Sequence, residues 1–345
     1  MLLIAIVFVI LILYKGKIAK SGTFQEDYCA PGKTNALKGV FVLAVFLSHM
    51  QTYITIPKAD QLPFTVVGLL GQLMVVPFLF YSGYGVMESI KKKGFSYVRR
   101  MPIQRLARTL LHFDLAVLLF LAVRYLTGEP VTLGQLLLAL VGIKSIGNSN
   151  WYVFVILLVY GITALSFTVF RKNNYIAAAL ATLLGVLAVL AMSRLCKLYW
   201  HDTLLCYILG LWFSLLRKPL EKVFLRNDLI WLAWFLVAAV GLVFLWLQFQ
   251  LFPFVPHLLS LVFAVFLVLF SAKVSLDNFF LQFLGKYTFW LYILQRLPMI
   301  LMEHFGICTA SPASFFLASF AVTCILAVAF DAVLQKLDRR LFPRS

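Results

Sequence analysis

The feature that most constrains this chain is a succession of apolar stretches, most of them near bilayer-crossing length, separated by short polar segments. A crossing helix takes ~20 mostly apolar residues. Such stretches lie at roughly 1–14, 37–56, 64–90, 108–126, 151–170, 175–193, 203–216, 229–250, 256–272, 287–303 and 312–335. They are apolar on every face and lack the apolar–polar alternation of barrel strands, which excludes a β-barrel. Hydrophobic residues make up 63% of the chain and charged residues 12%, so no single soluble core accounts for it. The expected fold is all-α, a polytopic membrane protein of about eleven transmembrane helices.

Two stretches are short. Residues 1–14 carry no cationic leader and no small-residue cleavage site, so they read as a retained helix and not as a signal peptide. They are brief for a span, and a tilted or partly interfacial helix also fits. The run 131–143, weakened by Gly134 and Gly142, reads as an interfacial or re-entrant helix.

Orientation follows from the cations. The net charge is +17, from 30 Lys and Arg against 13 Asp and Glu. In a soluble chain this would point to nucleic acid; in a membrane chain it is what positive-inside loops produce. The clusters are Lys15/Lys17/Lys20/Lys33, Lys91–Lys93 with Arg99, Arg100, Arg105 and Arg108, Arg171/Lys172, Arg217/Lys218/Lys222/Arg226, and Lys336/Arg339/Arg340/Arg344. If 131–143 does not cross, all of them fall on one side. The N-terminus is then expected outside and the C-terminus in the cytoplasm. The five cysteines show no C-x-x-C or Cys/His spacing, so neither a metal site nor a disulfide framework is expected.

Ionisable residues inside spans are costly and are functional candidates. His49 is the foremost. It follows Lys38 by eleven residues, which on a helix returns to nearly the same face with a rise of about 16 Å. An imidazole at that depth, above a cation at the cytoplasmic mouth, can take a proton from a hydroxyl near neutral pH. A structural histidine bonded to a neighbouring helix is the plainer alternative. Arg105 and Arg108, with Arg99 and Arg100 before them, offer forks suited to phosphate oxygens; from spacing alone, topogenic charge and anionic-lipid binding is the favoured reading. Ser82, Gly83 and Tyr84 lie at a depth similar to His49 and allow close helix packing, with hydroxyls to spare. Trp151 opens a span in an aromatic belt, and Tyr292, Gln295 and Arg296 polarise a late one. His112 and Asp114, two apart, do not face each other. No Gly-rich phosphate loop, G-x-S-x-G elbow or H-E-x-x-H is present.

In this order the pieces resemble the membrane-bound acyltransferase family 3, which O-acylates bacterial surface glycans and related acceptors. Its first core helix carries a basic residue, ten intervening residues and a histidine, as do Lys38 and His49, with Lys where Arg is more usual. Its Ser-Gly-Tyr element is matched by Ser82-Gly83-Tyr84, its cytoplasmic R-x-x-R by Arg105 and Arg108, its later Trp by Trp151, and its final motif by Leu284-Gly285-Lys286 through Tyr292-Ile293-Leu294-Gln295. Gln295 stands where His is common, and no Glu follows Trp151, so the acceptor does not carry over from better-known branches. The resemblance covers roughly residues 33–335. It implies a ten-helix acyltransferase domain over 33–345, with an extra helix and cytoplasmic linker at 1–32.

The resemblance also implies an O-acyltransferase of the bacterial plasma membrane. An acyl group, with acetyl expected, would pass from cytoplasmic acyl-CoA to a hydroxyl of an extracytoplasmic glycan or similar acceptor. His49 would be the base. Lys38, Arg99, Arg100, Arg105 and Arg108 would hold the CoA phosphates, while Ser82, Gly83, Tyr84, Trp151, Tyr292 and Gln295 would line the site. Ser82 and Tyr84 would face the developing oxyanion. The expected partners are acyl-CoA, the acceptor and the bilayer, with no bound cofactor, metal or nucleic acid. One rival is a secondary transporter of an anionic solute, which calls for inverted repeats and paired broken helices; none is visible in the sequence. A non-catalytic scaffold is the other, and it leaves His49 above Lys38 unexplained. Binding of CoA separates the enzyme from both.

Overall fold

A computed structural model describes residues 1–342; Arg344, counted above with the tail cations, lies outside the described residues. The helices are α1 (Leu2–Leu13), α2 (Pro31–Met50), α3 (Gln61–Leu70), α4 (Val76–Lys93), α5 (Phe95–Met101), α6 (Arg108–Leu126), α7 (Leu133–Leu140), α8 (Trp151–Val169), α9 (Asn174–Leu195), α10 (Leu204–Phe224), α11 (Asp228–Leu247), α12 (Val255–Lys273), α13 (Phe279–Lys286), α14 (Thr288–Leu294), α15 (Arg296–His304) and α16 (Pro312–Leu341). Two-residue strands β1 (Lys17–Ile18) and β2 (Val274–Ser275) pair antiparallel.

Eight helical segments are long and apolar enough to cross a membrane by length and composition. Three expected spans do not reach that standard, each for a physical reason. α1 has only 12 residues. α2 carries Lys33, Asn35, Lys38, Ser48 and His49. The stretch expected as one helix over 287–303 is broken at Gln295 into α14 and α15. The expected span 64–90 is also interrupted: Gly71, at φ +48°, admits a 3₁₀ turn over Gly71–Val75 between α3 and α4. The short run near 131–143 contains only the eight-residue α7, opened by a capping box of Thr132 and Gln135.

Contacts sort the connections into two ends. At one, β1 meets β2, Arg217 Nη2 donates to the Glu26 carbonyl at 3.2 Å, Lys91 Nζ donates to the Ser214 carbonyl at 3.0 Å, and Arg171 lies over the Phe95 ring. Arg108 and Asp338 also pair there. Four of the five cation clusters have a member in these contacts, and Asp338 lies within the fifth stretch, between Lys336 and Arg339. At the other end Arg124 Nε donates to the Ile146 carbonyl at 2.7 Å, and the His201 and His257 rings meet with ring nitrogens 3.0 Å apart.

Two helix pairs pack most extensively, α4 against α10 and α2 against α13. Both rely on missing side chains. A Cβ on Gly83 would overlap the Tyr207 carbonyl, and one on Gly285 would overlap the Asn35 carbonyl. Close backbone approach of this kind lets helices associate where lipid offers no hydrophobic drive. Around these contacts the interior fills with aromatic and aliphatic side chains, among them Phe46, Phe80, Phe113, Phe316 and Tyr207.

Gly83→Ala should therefore lower the thermal stability of the purified protein, because overpacking costs about 1–3 kcal/mol. Gly85, one turn position away, has open space around it. Gly85→Ala should leave the melting temperature unchanged or raise it, since Ala favours helix over Gly by about 1 kcal/mol. Equal losses in both variants would refute the packing account.

Candidate active site

The cation-rich end opens into a cavity of about 600 Å³, a size typical of small-molecule sites. Four cations line it. Lys38 comes from α2, Arg105 from a π-helical turn at Pro102–Ala107, Arg108 from the start of α6, and Lys286 from the end of α13. The π turn follows from Pro102, which cannot donate to the α-helical ladder. It presents Arg105 inward, where Nε donates to the Tyr97 hydroxyl at 3.0 Å and the guanidinium lies 5.8 Å from the Tyr160 ring centre. Arg108 is paired with Asp338 of α16, whose second oxygen lies 2.8 Å from His112 Nε2. Asp277, near the mouth, feels opposing effects. Burial raises its carboxyl, but the Lys33 ion pair at 3.3 Å and a bond from Gln282 outweigh it and hold it below the usual range.

Deeper in, the wall turns aromatic. Ser82 Oγ and the Tyr160 hydroxyl are 2.8 Å apart, and Tyr81, Tyr152 and Tyr292 complete the floor. Tyr152 packs edge-on against Tyr292, with ring centres 5.3 Å apart. His49 lies behind this floor. Its ring centre is 6.2 Å from that of Tyr292, and its Nδ1 is buried with no hydrogen-bond partner among the described residues. Arg296 lies one helical turn beyond Tyr292.

Past Arg296 a second cavity, about 540 Å³, opens at the opposite end. Tyr53, Arg124, Glu129, Arg296, Glu303 and His304 are among its lining residues. Arg124 pairs with Glu129, while the Arg296 guanidinium sits 6.0 Å from the Tyr53 ring centre. The two cavities thus approach each other across Tyr292, His49 and Arg296.

The expected site residues divide accordingly. Lys38, Arg105, Arg108, Ser82 and Tyr292 line the first cavity, and His49 stands at its inner wall. Arg99 and Arg100 are exposed and do not line it. Gly83 is spent on packing against α10. Tyr84 turns away from the cavity, accepting a bond from Arg217 Nη1 at 2.8 Å, so it does not share the oxyanion region with Ser82. Trp151 packs on Tyr152 and Tyr199 outside the lining, and its neighbour Tyr152 takes the inner position. Gln295 is fully buried and donates to the Tyr292 carbonyl at 3.0 Å, which places it in the helix break and not in either cavity. Sequence reasoning missed Lys286 as a lining cation, Tyr152 and Tyr160 as floor, and Asp338 as the partner of Arg108 and His112. Lys286 was legible in the Leu-Gly-Lys motif; Asp338 lies 226 residues from His112 and gave no local signal.

A family model described as an acyltransferase domain matches residues 33–332. No curated protein and no solved structure matches the chain. The match spans both cavities and the histidine between them, and the chain belongs to acyltransferase family 3, whose members are membrane-bound acyltransferases.

Proposed function

We propose that the protein moves an acyl group, acetyl in the simplest case, from cytoplasmic acyl-CoA to a hydroxyl of an extracytoplasmic acceptor, a cell-surface glycan, in the bacterial plasma membrane. In this reading the chain crosses eleven times. The crossings are the eight long apolar segments together with α1, α2 and the broken helix α13–α15. The cation-rich end is cytoplasmic by the positive-inside rule. The observation that carries the reading is the pair of cavities at opposite ends, brought together at His49.

The first cavity suits the acyl donor. Its cations, Lys38, Arg105, Arg108 and Lys286, match the phosphates of CoA, and its aromatic floor suits the uncharged arm and thioester. The second suits a sugar. Tyr53 offers a platform, and guanidinium and carboxylate groups of both signs match a polyhydroxyl surface. An acceptor hydroxyl reaching His49 gives its proton to the ring, and its oxygen attacks the thioester carbon. The carbon–sulfur bond breaks, and the CoA thiolate recovers the proton. His49 Nδ1 is buried with no partner among the described residues, a costly arrangement that leaves the atom free to take this proton.

His49→Gln keeps most of the volume and the hydrogen bonding but cannot take up a proton. A general base contributes about 10²–10⁴-fold. Transfer of radiolabel from acetyl-CoA into the cell envelope should fall by at least that lower factor, with the melting temperature near wild type. A folded variant keeping more than about a tenth of the activity rules out His49 as base.

Arg105→Ala should raise the KM for acetyl-CoA about tenfold or more with kcat retained, because a charge-assisted bond to phosphate is worth about 1.5–3 kcal/mol. Arg99→Ala, outside the cavity, should leave both constants unchanged. The reverse pattern would move the CoA phosphates to the surface arginines.

A further inference from the structure

The reaction above develops negative charge on the acyl oxygen, and something must receive it. Tyr84 faces Arg217, and Ser82 is bonded to Tyr160 within the first cavity. Neither is a cation; Arg296, at the wall between the cavities, is one. It begins α15, directly after Gln295, and lines the second cavity. Tyr292 precedes it by one helical turn, and the Tyr292 ring centre lies 6.2 Å from that of His49. The Arg296 Nε is buried and has no hydrogen-bond partner among the described residues, and no carboxylate among them forms an ion pair with it. Arg124, in the same cavity, is by contrast paired with Glu129. The Arg296 Nε is a free donor shut off from water, preorganised for an anion that exists only during turnover.

We propose that Arg296 is a second catalytic residue, the group that receives the oxyanion of the tetrahedral intermediate. The proposal rests on the reading of His49 as base and of the first cavity as the acyl-CoA site. As the acceptor oxygen bonds to the thioester carbon, its proton passes to His49. The carbonyl π pair moves onto the acyl oxygen, which the N–H groups of Arg296 hold. Collapse re-forms the carbonyl, breaks the carbon–sulfur bond and leaves the electron pair on the CoA sulfur, which takes the proton back from the imidazolium.

The test needs no knowledge of the acceptor. S-carboxymethyl-CoA places an anion one bond beyond the position of the oxyanion, and S-isobutyl-CoA fills the same shape without charge. Both are titrated calorimetrically into the purified full-length protein. The wild type should bind the carboxymethyl thioether about tenfold or more tightly than the isobutyl thioether, as a charge-assisted bond predicts. Arg296→Gln should bring that ratio to about one without changing the isobutyl affinity, and Arg296→Lys should keep part of it. In turnover, Arg296→Gln should lower kcat about 10²–10³-fold at unchanged KM for acetyl-CoA. A wild-type ratio near one overturns the proposal even if Arg296→Gln does not fold. An unchanged ratio in Arg296→Gln overturns it equally. Failure of both analogues to bind the wild type overturns the acyl-CoA cavity itself, whereas normal isobutyl binding with no preference removes only the role of Arg296.

Discussion

The backbones of α2 and α13 lie against each other because Gly39 and Gly285 put nothing between them. A side chain at Gly285 would strike the Asn35 carbonyl, and one at Gly39 would crowd the Leu281 carbonyl. This contact sets the separation of the elements that carry the site. It brings Lys38 and Lys286 to the same cavity wall, and it fixes where α14 starts. One helix further on, Tyr292 meets His49. Bulk at either glycine would open the seam between Lys38 at the mouth and His49 at the wall. Beside it, the Lys33–Asp277 pair closes the same seam at the surface.

An acyltransferase that works as proposed, on substrates from both sides of the membrane, has to bury polar groups without letting the compartments join. Hydrocarbon tolerates no unsatisfied backbone, so irregular chain is confined to places where protein or a cavity surrounds it. The broken helix α13–α15 obeys that rule. Its turns at Tyr287 and Gln295 sit beside the first cavity and the wall, and the buried Gln295 amide donates to the Tyr292 carbonyl that the break exposes. The same breaks aim Tyr292 into one cavity and Arg296 into the other. The floor of tyrosines between them is apolar in bulk and polar only at its tips, which suits a partition that admits a thioester and a hydroxyl but not a water column.

Hydropathy made the all-helical membrane fold legible, since runs apolar on every face have no other stable form. It misjudged continuity. Both interruptions carry a local mark: Gly71 adopts a positive φ before the 3₁₀ turn, and Pro298 has no N–H for the Leu294 carbonyl one turn before it. Of the site, the spacing of Lys38 and His49 carried most, for a helix converts eleven residues into one face and a known rise. Ser82, Arg105 and Tyr292 were also legible as polar exceptions in apolar surroundings. Tyr84 and Trp151 were not, because rotation about a helix axis decides whether a side chain meets the cavity or a neighbour, and adjacent residues differ by about 100°. Charge alone could not separate Arg105 and Arg108, which enter the cavity, from Arg99 and Arg100, which do not. Pairings such as Asp338 with Arg108 and His112 join residues more than two hundred positions apart and exist only in the folded chain.

The central claim is that one cavity receives the acyl donor from the cation-rich end and delivers its acyl carbon to His49. An experimental structure with a non-hydrolysable thioether analogue of acetyl-CoA tests it most directly. The account predicts the phosphates among Lys38, Arg105, Arg108 and Lys286, and the acyl end at Tyr152 and Tyr292 within reach of His49. Density for the analogue in the opposite cavity, or on the surface around Arg99 and Arg100 with the acyl end far from His49, would contradict it.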